Sequence, residues 1–238
     1  MSHLDTPVVA VVVAAGSGSR LGASQPKALV KLEGVPLVRH SVDALAAGGV
    51  EQVVVTVPRG LEAEFRAALD GAAVPTTCVE GGSTRQDSVR IGLAALTAPD
   101  RAVVLVHDAA RALIPPTVVR DVASAVAGGA EVAIPVLPVV DSIRRIDGAS
   151  SQVLDRAPLR AVQTPQAARL GALRRAHDLL VAEALEVTDD AAACEHAGLS
   201  VTLVDGHRDA LKITEPVDLV LAGAILAARD HSHKGQER

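Results

Sequence analysis

The chain has 238 residues, of which 49% are hydrophobic and 21% charged, and its formal net charge is −5. This composition excludes a disordered protein and is typical of one α/β domain or two small domains. The negative charge disfavours a nucleic-acid partner, because nucleic-acid-binding domains usually carry a basic stripe. With one Phe and no Trp or Tyr, the chain also lacks the aromatic platforms of single-strand binders.

Short β-branched runs alternate along the chain with longer Ala- and Leu-rich stretches. Strands are predicted at 8–13, 52–57, 74–79, 102–107, 131–135 and 200–204. Helices are predicted at 37–47, 61–69, 86–96, 117–127, 168–183, 189–197 and 215–228. Several strands are apolar throughout, as expected when helices cover both faces of a sheet. The alternation predicts a single α/β domain with a Rossmann-like, doubly wound, mostly parallel sheet.

The stretch at about 136–161 departs from this alternation. It contains Pro138, Gly148 and Pro158, and it shows no helical periodicity. Residues 141–146 alternate in polarity and lead into Asp147-Gly148, a dipeptide typical of tight hairpin turns. We therefore expect a protruding β-arm. An arm outside the sheet needs a surface to cover it, and a partner subunit is a candidate for that surface.

The termini and the cysteines carry little signal. Residues 1–7 lack the charged start of a signal peptide, and the apolar run 8–15 is too short to cross a bilayer. Cys78 and Cys194 fit no metal-ligand spacing, so we expect two reduced thiols that act as small hydrophobic side chains. These features predict a cytoplasmic protein with no membrane partner. The polar tail 230–238 is expected to be frayed.

A Gly-rich loop follows the first predicted strand, from Ala14 to Gly22, and Lys27 comes soon after it. Its small residues allow backbone N–H groups to face an anion. Arg20 and Lys27 add two cations suited to phosphate oxygens. Leu21 stands where both G-x-G-x-x-G and G-x-x-x-x-G-K-[ST] require Gly, which disfavours a dinucleotide site and a phosphate-loop ATPase. The loop indicates a triphosphate site, with an ordinary strand–helix turn as the alternative.

Two later clusters also follow predicted strands. The segment 81–88 is Gly-rich and opens a helix, so Arg85 and free backbone N–H groups could meet phosphate there. Asp108 ends a buried strand, where its carboxylate could hold Mg²⁺ together with phosphates. The adjacent His107 is expected to pack or hydrogen-bond rather than ligate metal. For segment 81–88 an ordinary capping turn stays the alternative.

Two segments nearer the C-terminus add candidate residues. Residues 209–214 are predicted to form a short strand before the last helix. There Asp209 could share the metal and Lys212 could face a phosphate, although solvated surface charges stay the alternative. Residues 164–166 are predicted to be a turn before a helix, with Thr164 as its cap.

Taken together, the motifs resemble those of 2-C-methyl-D-erythritol 4-phosphate cytidylyltransferases over nearly the whole chain. They occur in that family's order: Ala14-Ala15-Gly16-x-Gly18-x-Arg20, Pro26-Lys27, Gly81-Gly82-x-x-Arg85-x-x-Ser88-Val89, His107-Asp108-Ala109-Ala110-Arg111, Asp155-Arg156, Thr164-Pro165-Gln166, Thr188-Asp189-Asp190-Ala191 and Lys212-Ile213-Thr214. The resemblance implies an Mg²⁺-dependent enzyme that transfers CMP from CTP to 2-C-methyl-D-erythritol 4-phosphate and releases pyrophosphate.

The resemblance also implies roles for individual residues. The catalytic cations would be Arg20, Lys27 and Lys212. Nucleotide contacts, largely through backbone groups, would come from Ala14, Ala15, Gly16, Gly18, Gly82 and Ser88. The polyol phosphate would be bound by Arg111, Ser142, Arg156 and Thr164, of which Ser142 and Arg156 would come from the arm of a second subunit. Asp108 would hold Mg²⁺.

Three other functions stay open at this level. The nearest is a cytidylyltransferase for another polyol phosphate, such as ribitol 5-phosphate, because the difference would lie only in the arm. An NAD-binding oxidoreductase is a second, with the failed Gly spacing against it. A sensor that binds CTP without releasing pyrophosphate is the third.

Overall fold

The computed structural model describes residues 6–16 and 25–236, with side chains as far as residue 229. Within these ranges the strands are β1 (Val8–Val13), β2 (Lys31–Leu32), β3 (Val35–Pro36), β4 (Gln52–Val57), β5 (Thr76–Glu80), β6 (Val103–Asp108), β7 (Val132–Pro138), β8 (Ile143–Asp147), β9 (Ser150–Leu154), β10 (Arg160–Val162), β11 (Gln166–Arg169) and β12 (Val201–Asp205). The helices are α1 (Leu37–Ala47), α2 (Glu62–Ala68), α3 (Arg85–Ala95), α4 (Pro116–Ala127), α5 (Leu170–Ala182), α6 (Asp190–His196) and α7 (Pro216–Gln236). Short 3-10 turns span Lys27–Leu29 and Arg208–Ala210.

Eight strands form one large sheet. Strands β5, β4, β1 and β6 are neighbours and run parallel. Strand β11 lies between β6 and β7 and is antiparallel to both, so β7 is parallel to β6. Val132 of β7 pairs with Ala168 of β11 and with Val201 of β12, which places β12 on the outer side of β7. The sheet is therefore mostly parallel, as predicted, with β10 and β11 inserted in the opposite direction.

Helices cover both faces of this sheet. Successive side chains of a strand point to opposite faces, so each central strand packs against helices on both sides. In β1, Ala10 and Val12 belong to a buried cluster with α1, α2 and α4 that also contains Phe65, the sole aromatic side chain. Val9 and Val11 belong to a second cluster with α3, α5 and α6. The doubly wound arrangement is thus confirmed. It also explains why the central strands are apolar at every position.

The ends of the alternating strands and helices predicted from 8 to 228 agree with the structure to within three residues, except at the last helix. Helix α7 continues to Gln236 instead of ending at 228, since neither Pro nor Gly occurs from residue 224 to residue 234. It therefore enters the tail that the composition predicts to be frayed. In the ranges described here, no helix combines the length and apolarity that crossing a bilayer requires. Both cysteines are free thiols, and burial raises the pKa of the Cys194 thiol to about 12.

Two predicted local structures are wrong. Residues 209–214 form no strand; the chain passes from a 3-10 turn through an irregular segment to α7. The buried Ile213 side chain and one bond from Ile213 N–H to the Ala110 carbonyl oxygen, at 2.8 Å, hold this segment in place. The residues after Thr164 enter strand β11 rather than a capped helix. Ala167 and Ala168 have low strand propensity, but β6 and β7 pair with them from both sides.

Beyond β7, strands β8 and β9 form an antiparallel hairpin that is separate from the large sheet. Asp147 pairs with Ser150, and Gly148 adopts a positive φ of 55°, so the turn lies where the sequence predicts it. Ile146 and Val153 are 69% and 59% exposed, which leaves apolar surface on the hairpin. Its contact with a second subunit stays a prediction.

Candidate active site

The carboxyl ends of the parallel strands meet at one edge of the sheet. A cavity of about 480 Å³ opens there, the larger of two that share residues at this edge. This is the expected position for a ligand in a doubly wound sheet. The volume lies within the range of small-molecule and cofactor sites. Eight of the residues predicted for the site line it: Ala14, Ala15, Gly16, Lys27, Gly82, Ser88, Asp108 and Lys212. The predicted residues Gly18 and Arg20 lie outside the described ranges.

The first wall of this cavity is the chain that leaves β1. The Ala14 N–H donates to the Thr56 carbonyl oxygen at 2.9 Å, which extends the sheet bonding one residue past the strand. A Cβ atom placed on Gly81 would lie only 2.6 Å from Ala15 Cβ, so the absence of a side chain at Gly81 lets the two loops approach. Lys27 begins a 3-10 turn directly after Pro26 and also lines the cavity.

The second wall is the loop that opens α3. Thr84 and Asp87 form a reciprocal capping box, in which the Asp87 N–H donates to Thr84 Oγ1 at 3.0 Å. The Gly82 N–H donates to Ser88 Oγ at 3.1 Å, and that hydroxyl donates to the Thr84 carbonyl oxygen at 2.9 Å. The buried Ser88 hydroxyl therefore orders the loop that forms this wall.

The base of the cavity carries opposite charges in direct contact. Asp108, at the end of β6, pairs through Oδ2 with Lys212 Nζ at 2.7 Å and through Oδ1 with Arg85 Nε at 3.3 Å. Burial opposes the charged form of Asp108, but Arg85 and Lys212 outweigh it and hold the pKa of that carboxyl well below its usual range. Asp108 is thus a permanent anion at neutral pH, although most of its side chain is buried.

A smaller cavity of about 160 Å³ adjoins the first, since Arg85, Asp108 and Lys212 line both. Two residues predicted to bind the acceptor, Arg111 and Thr164, line this second cavity. Arg111 donates to the Ala210 carbonyl oxygen at 2.8 Å. The paired cavities therefore meet at one carboxylate flanked by two cations.

The Thr164 hydroxyl is engaged inside the protein. Because His107 Nε2 faces the Arg111 carbonyl oxygen at 3.3 Å, Nε2 carries the ring proton, and Nδ1 accepts from the Thr164 hydroxyl at 3.1 Å. The same hydroxyl accepts from the Asp108 N–H at 3.1 Å. Burial lowers the pKa of His107 to about 4, so the ring is neutral. His107 therefore hydrogen-bonds as expected, and Thr164 supports the backbone of Asp108.

Three predicted site residues lie outside both cavities. Asp209 is paired with Arg229, whose Nη2 is 2.7 Å from Asp209 Oδ2, and it lines neither cavity, which disfavours the predicted role of Asp209 as a metal ligand. Ser142 and Arg156 belong to the exposed arm, where the Arg156 guanidinium donates to the Val140 carbonyl oxygen. The role of Ser142 and Arg156 in binding the acceptor stays a prediction.

Comparison with known proteins agrees with this geometry. The family model described as IspD, 2-C-methyl-D-erythritol 4-phosphate cytidylyltransferase, matches residues 8–228. The chain belongs to this family. A family member from Streptomyces coelicolor is 45% identical over 233 residues, which cover 92% of this chain and 85% of the relative. One from Saccharopolyspora erythraea is 47% identical, covering 92% of this chain and 99% of the relative. The solved cytidylyltransferase from Thermus thermophilus has a TM-score of 0.78 and 35% identity, over 92% of this chain and 98% of that structure.

In this cytidylyltransferase fold, the sequence did not indicate how Arg85 would be held. Arg85 Nη2 pairs with Asp190 Oδ2 at 2.9 Å. The guanidinium therefore contacts a carboxylate in the protein interior as well as Asp108 in the cavity. Gln166 belongs to the motif Thr164-Pro165-Gln166, but the sequence assigned it no role: its Oε1 accepts from the Ala191 N–H at 2.8 Å, and its Nε2 donates to Asp189 at 3.0 Å. The other available signal was the motif Thr188-Asp189-Asp190-Ala191, which likewise had no assigned role.

Proposed function

We propose that this protein transfers CMP from CTP to 2-C-methyl-D-erythritol 4-phosphate, giving 4-diphosphocytidyl-2-C-methyl-D-erythritol and pyrophosphate. The observation that carries the proposal is the meeting of a cavity of about 480 Å³ and a smaller one of about 160 Å³ at Asp108, Arg85 and Lys212. Membership of the cytidylyltransferase family supports the same reaction. Neither the dinucleotide oxidoreductase nor the ribitol 5-phosphate enzyme is favoured by these findings.

The reaction requires positioning and charge neutralisation rather than proton transfer. An oxygen of the acceptor phosphate attacks the α-phosphorus of CTP, a new P–O bond forms, and the bond to the β-phosphate oxygen breaks to release pyrophosphate. The attacking phosphate monoester is already anionic at neutral pH, so no general base is needed. Cations that hold the two anionic substrates together supply most of the acceleration in such a step.

The nucleotide is proposed to bind in the larger cavity. Lys27 and Arg20 would contact the triphosphate and stabilise charge that develops at the α-phosphate. Cytosine and ribose would be bound mainly through the backbone of Ala14, Ala15, Gly16, Gly18 and Gly82, with Ser88 holding the loop. Recognition through backbone groups suits a chain that has no Trp or Tyr to stack on a base.

The proposed cofactor is Mg²⁺. Among the described residues, no group of three or more His, Cys, Asp or Glu side chains is arranged to hold a metal alone. Mg²⁺ with nucleotides is usually bound by one or two carboxylates together with substrate phosphates. Asp108 fits that requirement, because it is ionised and lines both cavities. Bound there, the cation would neutralise charge on the phosphates.

The acceptor is proposed to bind in the smaller cavity, with Arg111 and Lys212 facing its phosphate. Ser142 and Arg156 would complete this site from the arm of the second subunit of a homodimer. The support is the exposed, partly apolar hairpin β8–β9, which Ser142 precedes and Arg156 follows, since neither residue lines a described cavity of its own chain.

A pyrophosphate-release assay with CTP and Mg²⁺ tests the reaction. We expect release with 2-C-methyl-D-erythritol 4-phosphate and little with ribitol 5-phosphate. Lys27→Ala should lower kcat by about 10²- to 10³-fold, the effect of losing one transition-state donor. Lys31→Ala is the matched control, because Lys31 is an exposed lysine nearby on β2. CTP binding without pyrophosphate release would instead support a sensor.

The proposed homodimer site is tested by mixing two inactive variants, Arg156→Ala and Lys27→Ala. If Arg156 acts in the partner's site, each hybrid dimer has one site with both residues intact. Random reassociation gives about half hybrid dimers, so about a quarter of wild-type activity should return. No recovery after confirmed subunit exchange would show that Arg156 does not act across the interface.

A further inference from the structure

A line of alternating charges extends from the cavities into the protein interior. Lys212 contacts Asp108 at 2.7 Å, Asp108 contacts Arg85 at 3.3 Å, and Arg85 contacts Asp190 at 2.9 Å. Asp190 Oδ1 then accepts from His177 Nε2 at 3.1 Å. The four charged groups are two anions and two cations. The formal charges of Lys212, Asp108, Arg85 and Asp190 therefore cancel before any substrate binds.

The inner end of this line is deeply buried. The side chains of Asp190 and His177 are 3% and 2% exposed. Asp190 is the first residue of α6, placed there by the cap residue Asp189, whose carboxylate accepts from the Ala192 N–H. Burial opposes the charged form of Asp190, but Arg85 and His177 outweigh it and lower the pKa of its carboxyl. A buried anion in this position requires a fixed cationic partner.

Arg85 can contact both carboxylates because its guanidinium carries several N–H donors. Nε faces Asp108, and Nη2 faces Asp190. Arg85 is the first residue of α3, so its backbone is held by the Thr84 cap while its long side chain spans the gap between the two acids. Without Asp190, the guanidinium would be held only by its 3.3 Å contact with Asp108.

We propose that Asp190 is a positioning residue, which holds the Arg85 guanidinium so that Arg85 in turn orients Asp108 at the junction of the two cavities. The proposal rests on the proposed role of Asp108 toward the cation. Asp190 also shares the charge of Arg85. Without the Asp190 carboxylate, Asp108 alone would balance the positive charge of Arg85. Asp108 would then attract a divalent cation less strongly.

The test is Asp190→Asn, a substitution that keeps the shape of the side chain and removes its charge. The readouts are kcat, the Mg²⁺ concentration for half-maximal activity, and the ratio of CTP dissociation constants without and with Mg²⁺, measured by calorimetry. We expect kcat to fall and the Mg²⁺ requirement to rise by about 10- to 100-fold, the range for residues that orient a metal ligand. The enhancement of CTP binding by Mg²⁺ should shrink. Asp178→Asn removes an equal charge from the exposed side of α5 and serves as the matched control.

Loss of folded protein alone would lower kcat but would leave the Mg²⁺ requirement and the binding ratio of the folded fraction unchanged. Wild-type values of these two quantities in Asp190→Asn would overturn the proposal. If that variant does not fold, Arg85→Lys decides, because a lysine keeps the charge but cannot span both carboxylates. The same defects are expected in Arg85→Lys, and wild-type values would overturn the proposal.

Asp108→Asn separates this inference from the proposed function. If Mg²⁺ still enhances CTP binding to Asp108→Asn as in the wild type, the proposed role of Asp108 fails. If the enhancement is lost in Asp108→Asn but kept in both Asp190→Asn and Arg85→Lys, only the positioning inference fails.

Discussion

Mild acid should destabilise the protein through His107. Burial lowers the pKa of His107 from 6.5 to about 4. Between these pH values the unfolded chain holds a proton that the native state does not, so the free energy of unfolding falls as the pH falls. A protonated ring could no longer accept from the Thr164 hydroxyl, which also supports the Asp108 backbone. The stability that depends on neutral His107 is therefore complete above pH 7 and is lost toward pH 4.

The size of this effect follows from the two pKa values. The interval from 6.5 to about 4 corresponds to roughly 3 kcal/mol of unfolding free energy, at about 1.36 kcal/mol per pH unit. About half of it, roughly 1.6 kcal/mol, should be lost between pH 6.5 and pH 5. That window lies above the range in which carboxylates with lowered pKa values, such as Asp108, become protonated.

Urea unfolding at several pH values measures this loss. Circular dichroism is the suitable probe, because the chain has no Trp or Tyr. The buffer contains EDTA, and protein concentration is held fixed so that association does not vary. His107→Asn is the comparison: its amide oxygen can accept from Thr164 but does not titrate. The stability difference between the wild type and the variant should shrink by about 1.6 kcal/mol from pH 6.5 to pH 5. Equal pH slopes would refute the reasoning.

Three further substitutions test local features of the site. Thr84→Ala should lower the free energy of unfolding by about 1 kcal/mol through loss of the helix cap, whereas Thr84→Ser should stay close to wild type. Equal losses of unfolding free energy in the two variants would contradict the capping role. Gly81→Ala should destabilise the protein by about 1–3 kcal/mol and raise KM for CTP, because the new methyl group would clash with Ala15. An unchanged KM would show that the two loops can separate freely. Asp209→Asn should lower Tm through loss of the Arg229 ion pair while leaving the Mg²⁺ requirement unchanged, and a raised requirement would restore Asp209 as a metal ligand.

Local patterns were sufficient to predict the main architecture and one edge of the site. The apolar runs of β1, β4 and β6 predict buried strands, because each face of such a strand must be covered by helices. The carboxyl ends of parallel strands share one edge, so Ala14, Gly82 and Asp108 could be expected to meet there. The Asp147-Gly148 dipeptide likewise predicts the hairpin turn, since Gly tolerates the positive φ that the turn requires.

Tertiary structure alone decided the rest. The Ala-rich strand β11 exists because β6 and β7 offer hydrogen bonds on both sides, a condition that no local propensity encodes. Lys212, Arg85 and Asp190 are far apart in sequence. Only the packing of separate loops and helices brings Lys212 and Arg85 into contact with Asp108, and Asp190 into contact with Arg85. A sequence shows which charges are available to a site, but their partners depend on distances that only the folded chain defines.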